Sequence, residues 1–269
     1  MSESRGGKSR TLDMEAGDRD RGAAMREGDP RPGRGRLVAQ PAVCFVVIAG
    51  VFVYTNTSTI SGKENLLANS DLIDGSLKHL FLTIIAAVLV ILISVPLGVA
   101  LTRGPMRRYS GAVMAVAGFG QAAPAVGLVV LGALIFGIGS VPFIGALTVY
   151  GILPVVANVV AGLDGVDPEL TEAGRGMGMS SFGVLRAVEL PIAVPVMLTG
   201  VRTALVLMCG TAAFGGLVGA GGLGTYLTTG IKLGENSLLV VGALMIAMLA
   251  LLLDWVARVF EVVFTPKGL

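Results

Sequence analysis

The 269-residue sequence is 54% hydrophobic and 14% charged, with a net charge of +2 and two cysteines. Soluble domains carry roughly a quarter charged residues, so this composition excludes an ordinary soluble fold and indicates a membrane protein. The near-neutral charge balance argues against nucleic-acid binding. Cys44 and Cys209 each lie in an apolar stretch, where they are expected to be small hydrophobic residues rather than part of a disulfide framework.

Charge is concentrated at the N-terminus. Residues 1–36 hold nine of the 20 Lys and Arg residues and seven of the 18 Asp and Glu residues, together with many glycines and almost no apolar side chains. Such a segment cannot bury a core, so we predict that residues 1–36 form a disordered cytoplasmic tail. A mis-assigned start codon, with the true start at Met14 or Met25, is an alternative. Residues 37–269 are predicted to form one transmembrane domain.

The first apolar run, from Leu37 to Thr55, follows Arg31, Arg34 and Arg36. A cleaved signal peptide is the competing interpretation. The run is longer than the apolar core of a signal peptide, and no small-residue cleavage site follows it, so we predict an uncleaved signal anchor. By the positive-inside rule its N-terminus is expected in the cytoplasm.

Five further apolar runs are long enough to cross a bilayer core of about 30 Å. We therefore predict an all-α membrane protein with about six transmembrane helices. The five runs are Leu80–Leu101, Ala112–Phe136, Val141–Gly162, Ile192–Val218 and Leu238–Ala257.

Six spans that start inside place both termini in the cytoplasm, and the charges of the connections support this orientation. The outer connections receive only Lys63, Lys78 and Lys232. The inner side receives Arg103, Arg107, Arg108, Arg175, Arg186, Arg258 and Lys267.

The third run contains Gly118, Gly120, Gln121 and Pro124 near its middle. Proline and glycine at this position predict a break or kink that exposes backbone carbonyl groups. A break that lines a cavity and a simple packing kink both fit this pattern.

Motifs for nucleotide or metal chemistry are missing or out of context. No phosphate-binding G-x-x-x-x-G-K-[ST] loop occurs, and the G-x-G-x-x-G pattern from Gly219 to Gly224 follows an apolar helix instead of a strand. The single histidine, His79, has no partner at ligand spacing, so we expect an interfacial residue at a helix end and no metal site.

The longest inner connection, residues 163–191, carries helix start and stop signals. Asp167 is placed to cap a short helix whose first residue is Pro168, and Gly174, Gly176 and Gly178 are expected to end it. Ser180 is placed to cap a second short helix that runs to Val188, and Leu190-Pro191 is predicted to stop it before the fifth span. A short projecting helix of this kind suits docking into a groove of a partner.

The same connection resembles the EAA motif, E-A-A-x3-G-x9-I-x-L-P, of the permease subunits of bacterial ABC importers. The matching residues are Glu172-Ala173-Gly174, Gly178 and Val188-Glu189-Leu190-Pro191, with Gly174 and Val188 as the departures. The glycine betaine, carnitine and choline branch is similar over a wider region, from about Ser76 to Ile231. Its blocks are Gln121-Ala-Ala-Pro124, Leu153-Pro154, Gly162 to Pro168, Ala173 to Met179, and Gly219 to Gly224.

The resemblance implies a type I ABC importer permease whose inner-loop helix docks on a separate ATPase subunit. This chain would then be no enzyme and hold no cofactor, while ATP binds to the partner. Pro191 would fix the angle between this helix and the fifth span. The residues implied in ATPase coupling are Asp167, Pro168, Glu169, Glu172, Ala173, Gly174, Gly178, Leu190 and Pro191.

The resemblance also implies a second permease copy or a paralogue, and an extracytoplasmic substrate-binding protein that meets an outer glycine-rich loop, Gly219 to Gly234. The implied contacts are Gly219, Gly221, Gly222 and Gly224, and the implied pathway residues are Gln121, Pro124 and Arg202.

Arg202 has two interpretations: an intramembrane charge is a functional hypothesis, but a side chain that reaches the inner interface fits equally well. Asp254 and Arg258 have the i, i+4 spacing of a structural ion pair.

Three other functions remain open. An importer of methionine or another amino acid would share the EAA motif. A secondary transporter would need ion-coupling carboxylates in the membrane, and Asp254 alone comes close. A channel would leave the charged inner connection without a purpose.

Overall fold

The computed structural model describes residues 34–57 and 69–264. The chain divides into two units, Met1–Val38 and Ala39–Leu269. Of the first unit, Arg34 to Val38 are described, and they open a helix. The rest of the predicted tail lies outside the described residues, as do Lys63 and Lys267 of the charge pattern.

The described residues form helices joined by short turns, which confirms the predicted all-α class. In the described part of the chain, three segments depart from α-helical geometry: 3₁₀ helices at Gly104–Tyr109 and Ala212–Gly216, and a π-helical turn at Leu185–Glu189. The α-helices are α1 (Arg34–Thr57), α2 (Asn69–Leu101), α3 (Ser110–Ala122), α4 (Ala125–Phe136), α5 (Ser140–Asp164), α6 (Pro168–Gly176), α7 (Ser181–Val184), α8 (Leu190–Thr211), α9 (Gly224–Leu233) and α10 (Asn236–Phe264).

Within residues 34–57 and 69–264, five helical stretches are long and apolar enough to cross a membrane, by length and composition. The predicted third run, Ala112–Phe136, is instead two shorter helices, α3 and α4, which meet at the predicted break. The five stretches are Val38–Thr57, Asp71–Leu101, Ser140–Asp164, Ser181–Gly216 and Asn236–Val263.

Helix α2 begins well before the predicted Leu80, and the prediction for His79 is wrong. His79 is fully buried, and its Nε2 atom lies 3.0 Å from the carbonyl oxygen of Cys209, to which it donates. The helix extends through the polar residues because Asp71 stabilises its first turn and Leu72 is buried about two turns before the apolar run.

The main core lies where α5 packs against α2 and α8. Its fully buried side chains include Leu82 of α2, Leu147 and Val155 of α5, and Met208 of α8. A second apolar cluster contains Leu238 and Val241 of α10, together with Val51 of α1, Leu72 of α2 and Tyr226 of α9. Cys44 and Cys209 are buried free thiols, as expected.

Glycines allow α5 to approach both neighbours closely. A Cβ atom on Gly98 of α2 would lie 2.5 Å from Val159, and one on Gly151 would lie 2.6 Å from the sulfur of Met208. A Cβ atom on Gly200 of α8 would lie 2.6 Å from the Cβ of Asn158 and 2.7 Å from the carbonyl oxygen of Pro154. In a membrane no hydrophobic force drives helices together, so close van der Waals packing at small residues takes its place.

Gly200 and Gly210 provide a matched test of this packing within α8. We expect Gly200→Ala to destabilise the protein by about 1–3 kcal/mol, because the new methyl group meets backbone that cannot move aside. Nothing lies within 4 Å of a Cβ atom on Gly210, so Gly210→Ala is expected to be neutral or slightly stabilising. Thermal unfolding in detergent measures both variants, and equal midpoints would contradict the close α5–α8 contact.

Candidate functional site

Helix α6 begins as predicted. Asp167 is its N-cap, and the Oδ1 atom of Asp167 accepts a hydrogen bond of 2.8 Å from the backbone N–H of Glu169. Pro168 occupies the first helical position, where its missing N–H would have no partner in any case. The carboxylates of Asp167 and Glu169 lie at the positive end of the helix dipole, which stabilises them there.

The glycines end α6 within nine residues. Gly178 has a φ of +83°, and the N–H groups of Gly178 and Met179 donate to the carbonyl oxygens of Arg175 and Gly174 at 2.9 and 3.2 Å. Gly174 is buried, and a Cβ atom there would lie 3.2 Å from Val184. This contact gives a physical reason for the departure from the second alanine of the EAA motif, because glycine lets α6 approach α7.

Helix α7 is capped as predicted, but the predicted stop at Leu190-Pro191 is wrong. The Oγ atom of Ser180 accepts from the N–H of Gly183 at 3.1 Å. From Ser181 to Gly216 the chain is one continuous helical stretch, with Pro191 in the first turn of α8. The π-helical turn before it lets the N–H of Leu190 donate to the carbonyl of Leu185, so the helix absorbs a proline that would otherwise break it.

We call residues 167–191 the coupling segment, and its exposed side chains are both acidic and apolar. Glu169, Glu172 and Ala173 are exposed, and Pro191 is exposed at the junction with α8, while Leu190 is partly buried against the main core. Four exposed large apolar side chains, which the EAA motif did not identify, share the segment: Leu170, Met177, Met179 and Phe182. Exposed apolar side chains beside acids are typical of a docking surface.

The break in the third run lies at Ala123-Pro124. Helix α3 ends at Ala122, Pro124 precedes α4, and the N–H of Leu128 donates to the carbonyl of Pro124 at 3.1 Å. Gln121 is partly buried one turn before the break, and Pro124 is exposed. Gln121 and Pro124 therefore lie together at the break, and whether they line a pathway stays a prediction.

The glycine pattern from Gly219 to Gly224 forms a tight turn with left-handed backbone. Gly219, Gly221 and Gly222 have φ values of +67°, +82° and +75°. A Cβ atom on Gly222 would lie 3.3 Å from the Cα of His79, so the turn is packed onto α2. The prediction of a loop from Gly219 to Gly234 is wrong beyond this turn, because α9 begins at Gly224. This helix ends before Gly234, which has a φ of +68°.

Arg202 belongs to a polar network that joins α1, α8 and α10. Its guanidinium forms an ion pair with Asp254 and lies 3.9 Å from a carboxylate oxygen of Glu261. Arg258 pairs with Asp254 at 3.3 Å, which confirms the predicted i, i+4 pair. The amide of Gln40 donates to Asp254 at 3.0 Å and to the carbonyl of Leu251 at 2.9 Å. Arg202 is thus held by carboxylates of a neighbouring helix.

Among the described residues, no group of histidine, cysteine and acidic side chains could hold a metal ion. The coupling segment instead offers charged groups that suit contact with another protein. The polar network offers charged and hydrogen-bonding groups that suit contacts between helices.

Asp254 is the shared acceptor of this network, so its loss should cost more than the loss of Arg202. We expect Asp254→Leu to destabilise the protein by about 3 kcal/mol, because it removes the carboxylate of Arg258 and leaves Arg202 only the more distant Glu261. Arg202→Leu leaves Asp254 paired with Arg258 and Gln40 and is expected to cost less. Thermal unfolding in detergent tests this order, with the exposed Arg186→Leu as control. A midpoint for Asp254→Leu equal to that of the control would contradict the network.

Comparison with known proteins identifies the family. Residues 94–262 match the family described as "Binding-protein-dependent transport system inner membrane component". The chain is 38% identical over 192 residues to a glycine betaine/carnitine/choline transport system permease protein, OpuCB, of Bacillus subtilis, covering 71% of this chain and 88% of the relative. It is 41% identical over 197 residues to the osmoprotectant import permease protein OsmW of Salmonella typhimurium, covering 71% and 91%.

A solved structure is also similar. The methionine ABC transporter MetNI, in an inward-facing conformation, contains a chain that is 26% identical, with a TM-score of 0.63 and coverage of 72% of this chain and 96% of that chain. The fold is thus that of an ABC importer permease, and the resemblance to the osmoprotectant branch is confirmed. The chain belongs to the family of binding-protein-dependent transport system inner membrane components and is a multi-pass membrane protein.

Proposed function

We propose that this chain is the permease subunit of an ATP-driven importer for quaternary ammonium osmoprotectants such as glycine betaine, choline, carnitine and proline betaine. The observation that carries the proposal is the 38% and 41% identity to permeases named for these cargoes or for osmoprotectants, over most of both chains. The methionine transporter chain is 26% identical, so it supports a shared fold more than a shared cargo.

ATP is bound and hydrolysed on a separate subunit, and this chain holds no cofactor. The coupling segment supplies the docking surface: exposed Glu169 and Glu172 lie near exposed Leu170 and Met177. The cap, the tight turn and the continuous junction with α8 give this surface its shape. The residues of these features are Asp167, Pro168, Ala173, Gly174, Gly178, Leu190 and Pro191.

Two copies of the chain, or this chain and a paralogue, enclose the pathway, and a substrate-binding protein delivers the cargo. The bacterial cytoplasmic membrane holds the complex with both termini inside. The break at Gln121 and Pro124 lines the pathway, whereas the carboxylate contacts of Arg202 favour a role in helix packing. The glycine turn, with Gly219, Gly221, Gly222 and Gly224, meets the binding protein on the outer side.

A secondary transporter is the weaker alternative. Its mechanism needs a membrane carboxylate that is free to bind and release an ion. Asp254 is instead held by Arg202, Arg258 and Gln40.

ATP-dependent uptake in reconstituted vesicles tests the proposal. The complete complex is expected to accumulate labelled glycine betaine, with choline as a competitor and methionine without effect. We expect Glu172→Ala to reduce uptake by about tenfold, the effect of losing one charge-assisted hydrogen bond at the docking surface. Asp74→Ala, an exposed acid on α2, is the matched control and is expected to keep full uptake. Full coupled uptake by Glu172→Ala, or competition by methionine alone, would contradict the proposal.

A further inference from the structure

A partly buried ion pair joins the coupling segment to the end of α2. Arg103 follows the last residues of α2, and Glu189 is the last residue of the π-helical turn. Nη1 of Arg103 donates to Oε1 of Glu189 at 3.1 Å, and Nη2 contacts Oε2. The Glu189 side chain is 6% exposed and that of Arg103 is 34% exposed. A pair this sheltered is screened far less by water than a surface pair.

Glu189 is fixed to the rest of the coupling segment by packing. A Cβ atom on Gly174 of α6 would lie 3.2 Å from Val184 and 3.7 Å from Val188, so α6 is seated on α7 and on the π-helical turn. The hydrogen bond from Met179 to Gly174 closes the turn between the two helices. Closely packed elements transmit displacement instead of absorbing it. A displacement of α6 therefore reaches Glu189.

Arg103 lies in the field of charges from two other elements. Burial lowers the pKa of Arg103, Arg175 of α6 lowers it further, and Asp164 at the end of α5 opposes both. A second ion pair, Arg107–Asp164 at 3.5 Å, joins the same region, but its side chains are 69% and 45% exposed. An exposed pair contributes little. The less exposed Arg103–Glu189 pair is thus the stronger of the two connections.

Helix α2 extends from this pair to the glycine turn. It has 33 residues, which corresponds to about 50 Å along a helix axis. Near its other end, His79 donates to the carbonyl of Cys209, and Gly222 is packed on the His79 backbone. One helix therefore contacts the coupling segment at one end and the glycine turn at the other.

We propose that the Arg103–Glu189 pair is the link through which movement of the coupling segment is passed to α2 and so to the glycine turn. Arg103 and Glu189 are positioning residues that touch neither ATP nor cargo. The inference rests on the proposed function, because it takes the coupling segment as the surface that the ATPase moves.

The first test measures the cargo imported per ATP hydrolysed by the reconstituted complex. We expect Glu189→Gln to lower this ratio by at least about fivefold while ATP hydrolysis continues, as for the loss of a coupling interaction. Glu189→Asp, and the double variant Arg103→Glu with Glu189→Arg, both keep an ion pair between the two positions. They should therefore retain most of the cargo imported per ATP hydrolysed. Asp164→Asn, which removes the exposed pair, is the control and should keep it.

A purely structural role would give a different result. Apolar residues of similar size often replace a buried pair without loss of stability, so Arg103→Met with Glu189→Met should fold and assemble even if Glu189→Gln does not. The double variant is expected to show the same lowered ratio. An unchanged ratio in the assembled double variant, or an equal loss in Asp164→Asn, would overturn the link.

The second test needs no cargo. Spin labels at exposed Met106 and Arg186, in a background with Cys44→Ala and Cys209→Ala, report the separation of the 3₁₀ helix that follows α2 from the π-helical turn. With Glu189 intact, we expect the distance between the two labels to be the same in the nucleotide-free and the ATP-trapped complex. In Glu189→Gln, we expect this distance to change when ATP is trapped. An equal shift without that substitution would overturn the link. If the complex imports no quaternary ammonium compound, the proposed function fails while this measurement still decides on the link.

Discussion

Every backbone N–H and C=O group in the bilayer core must find its partner inside the protein, because lipid hydrocarbon offers none. The described chain meets this constraint with α-helices. Its helical geometry changes at two of its prolines. Pro124 separates α3 from α4, and Pro191 follows a π-helical turn that keeps the stretch Ser181–Gly216 continuous. The two prolines therefore have opposite outcomes: one ends a helix within an apolar run, and the other is absorbed at the junction between the coupling segment and α8.

Close packing around α5 explains how local changes can act at a distance. Gly98, Gly151 and Gly200 bring α2 and α8 so near to α5 that an added methyl group would overlap atoms of the facing helix. Interfaces of this kind are rigid and move as units. The proposed link between such units is a discrete contact at the helix ends, the Arg103–Glu189 pair, in which the Glu189 side chain is 6% exposed.

The features that the sequence predicted are local ones. The caps at Asp167 and Ser180 depend on residues two or three positions away, so spacing alone identified them. The Arg103–Glu189 pair joins residues 86 positions apart, and no periodicity connects them. His79 was misplaced for the same reason, since its partner, Cys209, belongs to a helix 130 residues further along. Helix α9 was hidden because glycines at both of its ends suggested a loop throughout.

The proposed function depends on an ATPase subunit that docks on the coupling segment. Cross-linking from single cysteines in the complete complex tests it most directly, in a background without the two native thiols. Met177 in the coupling segment is 72% exposed, and Ile138, between α4 and α5, is 80% exposed. We expect Met177→Cys to form a cross-link with the ATPase subunit and Ile138→Cys to form none. A cross-link from Ile138→Cys alone, or from neither position, would contradict docking of the ATPase on the coupling segment.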